Sequence, residues 1–451
     1  MRTVAAISTP RGKGGVAMIR ITGDDAIGVA GRVAFRPNGI PLSETEPSKT
    51  VRTLFLRDGE PFDDGMTTVF RAPRSFTGED TVEFVCHGGP LVTQTLLTAV
   101  FAAGAYPAGP GEFTRRAFQN GKISLSQAEA VGGLIDAKTD RHLQVSLLQV
   151  RGSLTEKLKS VFDRLKFLLA SVYAYIDYPD EDMTDVPVPE MRKRLEEILA
   201  DLDRLCGSRP YGRAISEGIR TVIVGKPNTG KSALLNMLAG EERAIVTDEA
   251  GTTRDVVREQ VRLGGFLLNL ADTAGLRESD SKVERIGIGK SLSALAEAEL
   301  VFAVFDGSSP LDAQDAEVLS RVREAGKENV AVCVMNKSDL GTVSDPPLPG
   351  GIRVSALRGT GAEELERAVK DRLSLAEPAD FGEIITNARQ YAALEKARDH
   401  VSRALRTLEE YTQDMAGLDL EQALAALGEA DGRAVSEAVV DEIFSHFCVG
   451  K

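Results

Sequence analysis

The segment Gly225-Lys226-Pro227-Asn228-Thr229-Gly230-Lys231-Ser232 carries the residue types, at the spacing, that a phosphate-wrapping loop needs. Its glycines let backbone N–H groups close around a β-phosphate, Lys231 reaches the β and γ oxygens, and Ser232 offers a hydroxyl to magnesium. An apolar run, Thr221 to Val224, precedes the loop and a helical stretch, Ala233 to Leu238, follows it, so a helix N-terminus adds its dipole. The nucleotide contacts expected here are Asn228, Thr229, Gly230, Lys231, Ser232 and Ala233.

Three more strings follow in the order that guanine-nucleotide switches require. Gly251-Thr252-Thr253-Arg254-Asp255 offers the Thr253 hydroxyl to complete a magnesium shell when a γ-phosphate is present. Asp272-Thr273-Ala274-Gly275 follows the apolar run Phe266 to Ala271; its carboxylate would hold magnesium through water, and the Gly275 N–H would sense the γ-phosphate. Asn336-Lys337-Ser338-Asp339 follows Val330 to Met335, and Asp339 can accept from the N1–H and N2–H2 of guanine, an edge adenine lacks. Ser355-Ala356-Leu357 would add a backbone donor to the guanine oxygen. Each string alone is weak, but their order makes a GTP hydrolase site the expectation.

Where many small GTPases place a water-orienting Gln directly after Asp-x-x-Gly, this chain has Leu276, which has no polar group for that task. Glu284, in the polar segment Arg277 to Arg285, is the candidate replacement; a solvated surface Glu is an equal reading. Lys231, Asp272 and Glu284 are therefore the expected catalytic groups of the nucleotide site.

These strings need a sheet to hold them. Residues 216 to 376 alternate strand-like runs with helical stretches, the pattern of a doubly wound parallel sheet. Residues 1 to 118 read as an α/β or α+β domain. From Leu143 to Val172, apolar residues recur every three or four positions, predicting one long amphipathic helix with Gly152 inside it. A second helix is expected from Glu190 to Leu205, and a similar stripe runs from Tyr391 to Leu408. Residues 119–215 and 377–451 thus read as two halves of one helical domain around the inserted 216–376 unit.

The chain has 451 residues, 42% hydrophobic and 27% charged, which suits several ordinary globular cores. A net charge of -13 disfavours wholesale electrostatic binding of nucleic acid or anionic lipid. Residues 1 to 36 run the other way, with six Arg or Lys against two Asp. The cysteines, Cys86, Cys206, Cys333 and Cys448, form no C-x-x-C pair, and His87 and His446 look too isolated for a metal site. Short apolar runs argue against a secretory leader or membrane span, so a cytoplasmic, reduced protein is expected.

The nucleotide strings, with Ser75-Phe76-Thr77-Gly78-Glu79-Asp80, His87-Gly88-Gly89-Pro90, Pro110-Gly111-Glu112-Phe113-Thr114, Gln127-Ala128-Glu129-Ala130 and Cys448-Val449-Gly450-Lys451, resemble the MnmE (TrmE) family of tRNA modification GTPases along the whole chain. The resemblance implies a folate-binding, dimerising N-terminal domain, a split helical domain and an inserted GTPase domain. It also implies a homodimer that works with the flavoprotein MnmG on the wobble uridine of certain tRNAs. The carbon would come from 5,10-methylene- or 5-formyl-tetrahydrofolate, giving a 5-carboxymethylaminomethyl-type uridine with Mg2+, K+ and GTP.

By the same resemblance, Asn228 is a potassium ligand, aided by Thr247, Glu249 and Thr252 in the loop Thr247 to Thr252; Glu249 stands where the family has an apolar residue. A monovalent cation there would neutralise transition-state charge as an arginine finger does elsewhere. The implied folate residues are Arg20, Glu83, Lys122 and Lys451, and Cys448 acquires a role near the folate, as nucleophile, proton donor or positioning group. Two other readings fit the nucleotide strings: a ribosome-assembly GTPase that binds RNA through its flanks, and a non-catalytic nucleotide-gated scaffold.

Overall fold

The structure, a computed structural model, describes residues 1–177, 186–240, 259–271 and 294–451. It forms two compact units, Met1–Gly132 with Leu427–Lys451, and Gly133–Ala426.

The first unit is built on a seven-stranded sheet in the order β3-β4-β5-β6-β2-β1-β7. Its strands are β1 (Val4–Ile7), β2 (Val16–Thr22), β3 (Ala34–Phe35), β4 (Thr50–Arg57), β5 (Glu60–Phe70), β6 (Thr81–His87) and β7 (Tyr106–Pro107). Period-two alternation sorts the side chains. Ile19 and Ile21 of β2 and Val82, Phe84 and Cys86 of β6 share a core with helices α1 (Ala26–Val33) and α2 (Pro90–Ala102). The alternate residues Arg20, Thr22, Thr81 and Glu83 therefore project from the other face, with Arg20 in register with Glu83. There α3 (Glu112–Gln119) buries Phe113 against Val4, Ala6 and Ala108. Helix α4 (Leu125–Asp136) packs Leu125 and Ala128 on Val440 and Phe444 of the helix Glu437–Ser445.

In the second unit the sheet order is β13-β12-β11-β8-β10-β9. The strands are β8 (Ile219–Val224), β9 (Glu259–Leu263), β10 (Phe266–Leu270), β11 (Leu300–Asp306), β12 (Ala331–Asn336) and β13 (Ile352–Arg353). All pairings are parallel except the β9–β10 hairpin, so an antiparallel edge strand completes an otherwise parallel sheet. β11 is buried on both faces from Leu300 to Phe305, which is why its sequence shows no polar alternation.

Around this sheet and beside it lie α5 (Asp140–Val150), α6 (Ser153–Asp177), α7 (Val188–Gly207), α8 (Arg209–Ser216), α9 (Lys231–Gly240), α10 (Ala313–Glu324), α11 (Ala362–Arg372) and α12 (Ala388–Glu410). α7 lies along α12, burying Leu195, Ile198 and Leu202 with Leu394, Ala397 and Val401. Two further helices, α13 (Gln413–Asp431) and α14 (Glu437–Ser445), complete the chain. No helix among the described residues is long and apolar enough to cross a membrane.

The single long helix expected across Gly152 is two helices. Gly152 has φ +99° and its N–H bonds Gln149 O at 2.9 Å, ending α5 before α6 begins. A left-handed glycine closes a helix at little cost, and here it also turns the buried face. Leu143 and Leu147, part of the predicted stripe, are exposed, whereas His142, Val145, Ser146 and Gln149 are buried.

Candidate functional site

β8 lies between β10 and β11, and the chain reaches those two neighbours in opposite directions across the sheet. Such a switch point opens a crevice at the carboxyl ends of the strands, where open α/β sheets place their ligands. The loop after β8 enters it under tight constraint. Gly230 has φ +91°, and an added Cβ would lie 2.1 Å from Asn336 Nδ2. At Gly225 a Cβ would lie 2.4 Å from Val304 O. The glycines at these two positions admit both the phosphate cradle and the strand ends behind it.

Asn336 links three loops. Its Nδ2 donates to Thr229 O at 2.9 Å, its Oδ1 accepts from Ala356 N at 3.0 Å, and the side chain is buried. The phosphate loop, the Asn336–Asp339 string and the Ser355–Leu357 string are thereby held together by one amide. Ser355 Oγ donates to Asp339 Oδ1 at 2.6 Å, and this bond holds the Asp339 carboxyl below its ordinary value. Lys337 Nζ sits 2.7 Å from Asp306 Oδ2. Burial alone would raise the Asp306 carboxyl, but the bonds from Lys337 and Ser308 outweigh it and hold it low. Leu357 is exposed beside this cluster.

Lys231 Nζ donates to Gly225 O at 2.9 Å and Lys226 O at 2.8 Å, and burial pushes its ammonium down. The amine is therefore tethered by neutral carbonyls at the mouth of the cradle, where an anion would find it. Ser232 and Ala233 begin α9 directly behind it. Asn228 is exposed at the loop tip with φ +64°, a conformation asparagine tolerates. The residue types fit magnesium and a triphosphate: the Ser232 hydroxyl, the Lys231 ammonium and the N–H groups of a helix start belong to one loop and the helix that follows it.

Sequence reasoning missed two supports. Lys226 Nζ reaches Asp312 Oδ2 at 2.9 Å and Asp315 Oδ2 at 2.7 Å, tying the loop to the capping box of α10. Asp306 was also overlooked, although a carboxylate closing the apolar run Leu300 to Phe305 was a signal for it. Thr247, Glu249, Thr252, Thr253, Asp272, Thr273, Ala274, Gly275 and Glu284 lie outside the described residues.

A second constellation forms on the face of the N-terminal sheet opposite α1 and α2. Arg20 Nε and Nη2 both meet Glu83 Oε1 at 2.8 Å, leaving Glu83 Oε2 outside the pair. The guanidinium lies over the Phe113 ring at 5.5 Å, and Phe113 N donates to Lys451 O at 3.0 Å. The residues before Lys451 are laid down by Gly111 N on Cys448 O, a bridge between Pro110 and Val449, and Ser8 Oγ on Gly450 O at 2.9 Å. Cys448 is an exposed thiol. Lys122 Nζ donates to Pro73 O at 2.8 Å, and its stem packs under Gly78. Next to Gly78, Thr77 Oγ1 is 2.8 Å from Thr22 Oγ1 on β2. Arg20 on β2 and Glu83 on β6 pair directly; Lys122 is linked to β2 through the Gly78–Thr77 turn, and Lys451 to Arg20 through Phe113. A half-buried carboxylate with one oxygen outside its ion pair has the chemistry to receive an amino-pyrimidine edge.

The buried pair Glu79–Arg116, at 2.9 Å, supports this face and was not anticipated. His87, expected to stand alone, does not: its Nδ1 is 2.6 Å from Asp63 Oδ1, which raises the imidazole pKa, and Asp64 lies close by. Strand pairing brings His87 to an adjacent acidic pair more than twenty positions earlier. His446 follows the last helix and joins no such group among the described residues.

The family model for the GTP-binding protein TrmE N-terminus matches residues 3–122, and that for the MnmE helical domain matches residues 125–448. The chain is 42% identical to the tRNA modification GTPase MnmE of Moorella thermoacetica, covering 100% of this chain and 99% of that one. It is 40% identical to the same-named protein of Thermotoga petrophila, over 100% of both chains. The corresponding protein of Symbiobacterium thermophilum is 42% identical over 100% of this chain and 99% of its own. With two family models tiling the chain and full-length relatives at this identity, the chain belongs to the MnmE family of tRNA modification GTPases.

Proposed function

We propose that this chain is a potassium-dependent GTP hydrolase that acts on the wobble uridine of tRNA, as a homodimer with the flavoprotein MnmG, using a tetrahydrofolate one-carbon unit. Its parts would be a folate-binding and dimerising domain (1–118), a helical domain in two pieces (119–215 and 377–451) and the GTPase domain (216–376). The supporting observation is the Asn336 amide, which joins the phosphate loop to the loops expected to read the base.

Asp339, kept ionised by Ser355, would accept from guanine N1–H and N2–H2; adenine would leave that carboxylate unpaired. Lys231 would exchange two neutral carbonyls for phosphate oxygens, so its charge is never left without a partner. Ser232, with Thr253, would hold magnesium, and Asp272 would act through water. Asn228 with Thr247, Glu249 and Thr252 would hold potassium, which supplies positive charge against the transferring phosphoryl group. Glu284 would orient the attacking water in place of the missing glutamine. In the N-terminal unit Glu83 and Arg20 would bind the pterin, Lys122 and Lys451 the acidic tail, and Cys448 would act beside it.

The test is turnover of GTP and ATP by the full chain in potassium or sodium salts. GTP hydrolysis with a strong potassium preference is expected, and Asp339→Asn should shift base preference from guanine towards xanthine. Equal turnover in both salts would remove potassium from the reading; binding of GTP without hydrolysis would favour a nucleotide-gated scaffold.

A further inference from the structure

We propose that the turn Arg71–Phe76 is the surface on which this chain holds RNA, its arginines on the phosphodiester backbone and Phe76 on an unpaired base. This rests on the tRNA reading above and supplies what that reading lacks, a place for a polyanion on a chain of net charge -13. An acidic protein holds RNA where cations locally outnumber carboxylates.

That condition is met here. Arg74 N bonds Arg71 O at 2.8 Å, closing a turn that presents both arginines. Arg71 Nη2 rests on Ser43 O at 2.5 Å. This partner is a neutral carbonyl, so the bond positions the guanidinium without cancelling its charge. Two carboxylates stand nearby. Glu79 is committed to Arg116 at 2.9 Å, while Asp80, whose Oδ1 accepts the Ala72 N–H at 2.9 Å, keeps its charge and is outnumbered by the two arginines. Three other cations of the same domain, Arg32, Lys49 and Arg52, are matched by Asp25, Glu46 and Asp64.

The aromatic ring is presented by the same turn. Ser75 is buried and its Oγ donates to Glu79 O at 2.5 Å, so its neighbours Arg74 and Phe76 face outward. Phe76 is 43% exposed although it is apolar. Asn120 Nδ2 donates to Thr77 O at 2.7 Å, and Lys122 packs under Gly78, so the turn is anchored from the α3–α4 connection. A fixed ring flanked by guanidinium groups is how sequence-tolerant sites hold a single-stranded nucleic acid loop.

Fluorescence anisotropy of the full chain with a labelled tRNA transcript, titrated with salt, tests this. R71A/R74A should bind about tenfold more weakly at ~0.1 M salt and flatten the log K against log salt slope by about 1.4 to 1.8, because each phosphate contact contributes ~0.7 to 0.9. R71K/R74K should retain the slope. F76A should weaken binding severalfold with the slope unchanged. GTP turnover of the same samples should equal wild type in every case, which shows that the variants are folded. Wild-type binding by R71A/R74A, or a loss confined to polyglutamylated 5-formyl-tetrahydrofolate, overturns the patch and leaves the functional reading standing. A wild-type chain with no affinity for tRNA overturns both the patch and the RNA contact it rests on.

Discussion

The two candidate sites are assembled in opposite ways. Around β8, the described chemical groups belong to short contiguous strings that follow parallel strands, and one buried amide, Asn336, locks three of those strings together. On the N-terminal sheet the groups come singly, from β2, β6, the turn after α3 and Lys451. There the linkage is cross-strand register, which sets Arg20 against Glu83, and the backbone bonds that lay residues 448–451 along α3. Contiguous sites carry their geometry in local backbone conformation, whereas dispersed ones borrow it from the whole domain.

That contrast can be broken by experiment. Asn336→Ala should have the largest effect. It strands Thr229 C=O and Ala356 N–H, at about 1 to 3 kcal/mol for each unsatisfied buried group, so GTP affinity should fall ~10- to 100-fold. Binding of a fluorescent guanine nucleotide measures this, and retention of 5-formyl-tetrahydrofolate should not change. Loss of both would show that the sites are not independent.

Gly450→Val should do the converse. Gly450 has φ +100°, and a Cβ there would lie 2.2 Å from Ile7 O, so the segment carrying Cys448 and Lys451 must lift away. Calorimetry should show folate affinity reduced about tenfold with GTP turnover intact. Unchanged folate binding would take Lys451 out of that site.

Ser355→Ala should give the smallest change, about twofold in guanine-nucleotide affinity at neutral pH. Its signature lies in the pH dependence. The Ser355 bond favours the ionised form of Asp339, so removing it raises that carboxyl towards its ordinary value. Guanine affinity, which needs the carboxylate, should then be lost at a higher pH as the solution is acidified. An acid limb that coincides with wild type would show that Asp339 does not control base binding.

The strand runs at Arg220 to Val224, Phe266 to Ala271, Leu300 to Phe305 and Val330 to Met335 were legible because parallel strands buried on both faces read as unbroken apolar runs. The Gly152 break was not, since a periodic stripe cannot tell a glycine inside a helix from one that ends it; only its φ of +99° does. The role of Lys226 had no local signal, because its partners Asp312 and Asp315 are more than eighty positions away.

The order of the residues was enough to specify a guanine-nucleotide chemistry, because its motifs are short and the backbone of a strand–loop–helix turn presents them without outside help. It could not specify which atoms support them. The Asn336 brace, the Lys226 clamp, the Arg20–Glu83 pair and the cationic turn at Arg71 depend on contacts between distant segments. Those contacts follow from strand register, burial and chain reversal, which are properties of the packed domain and have no local signature.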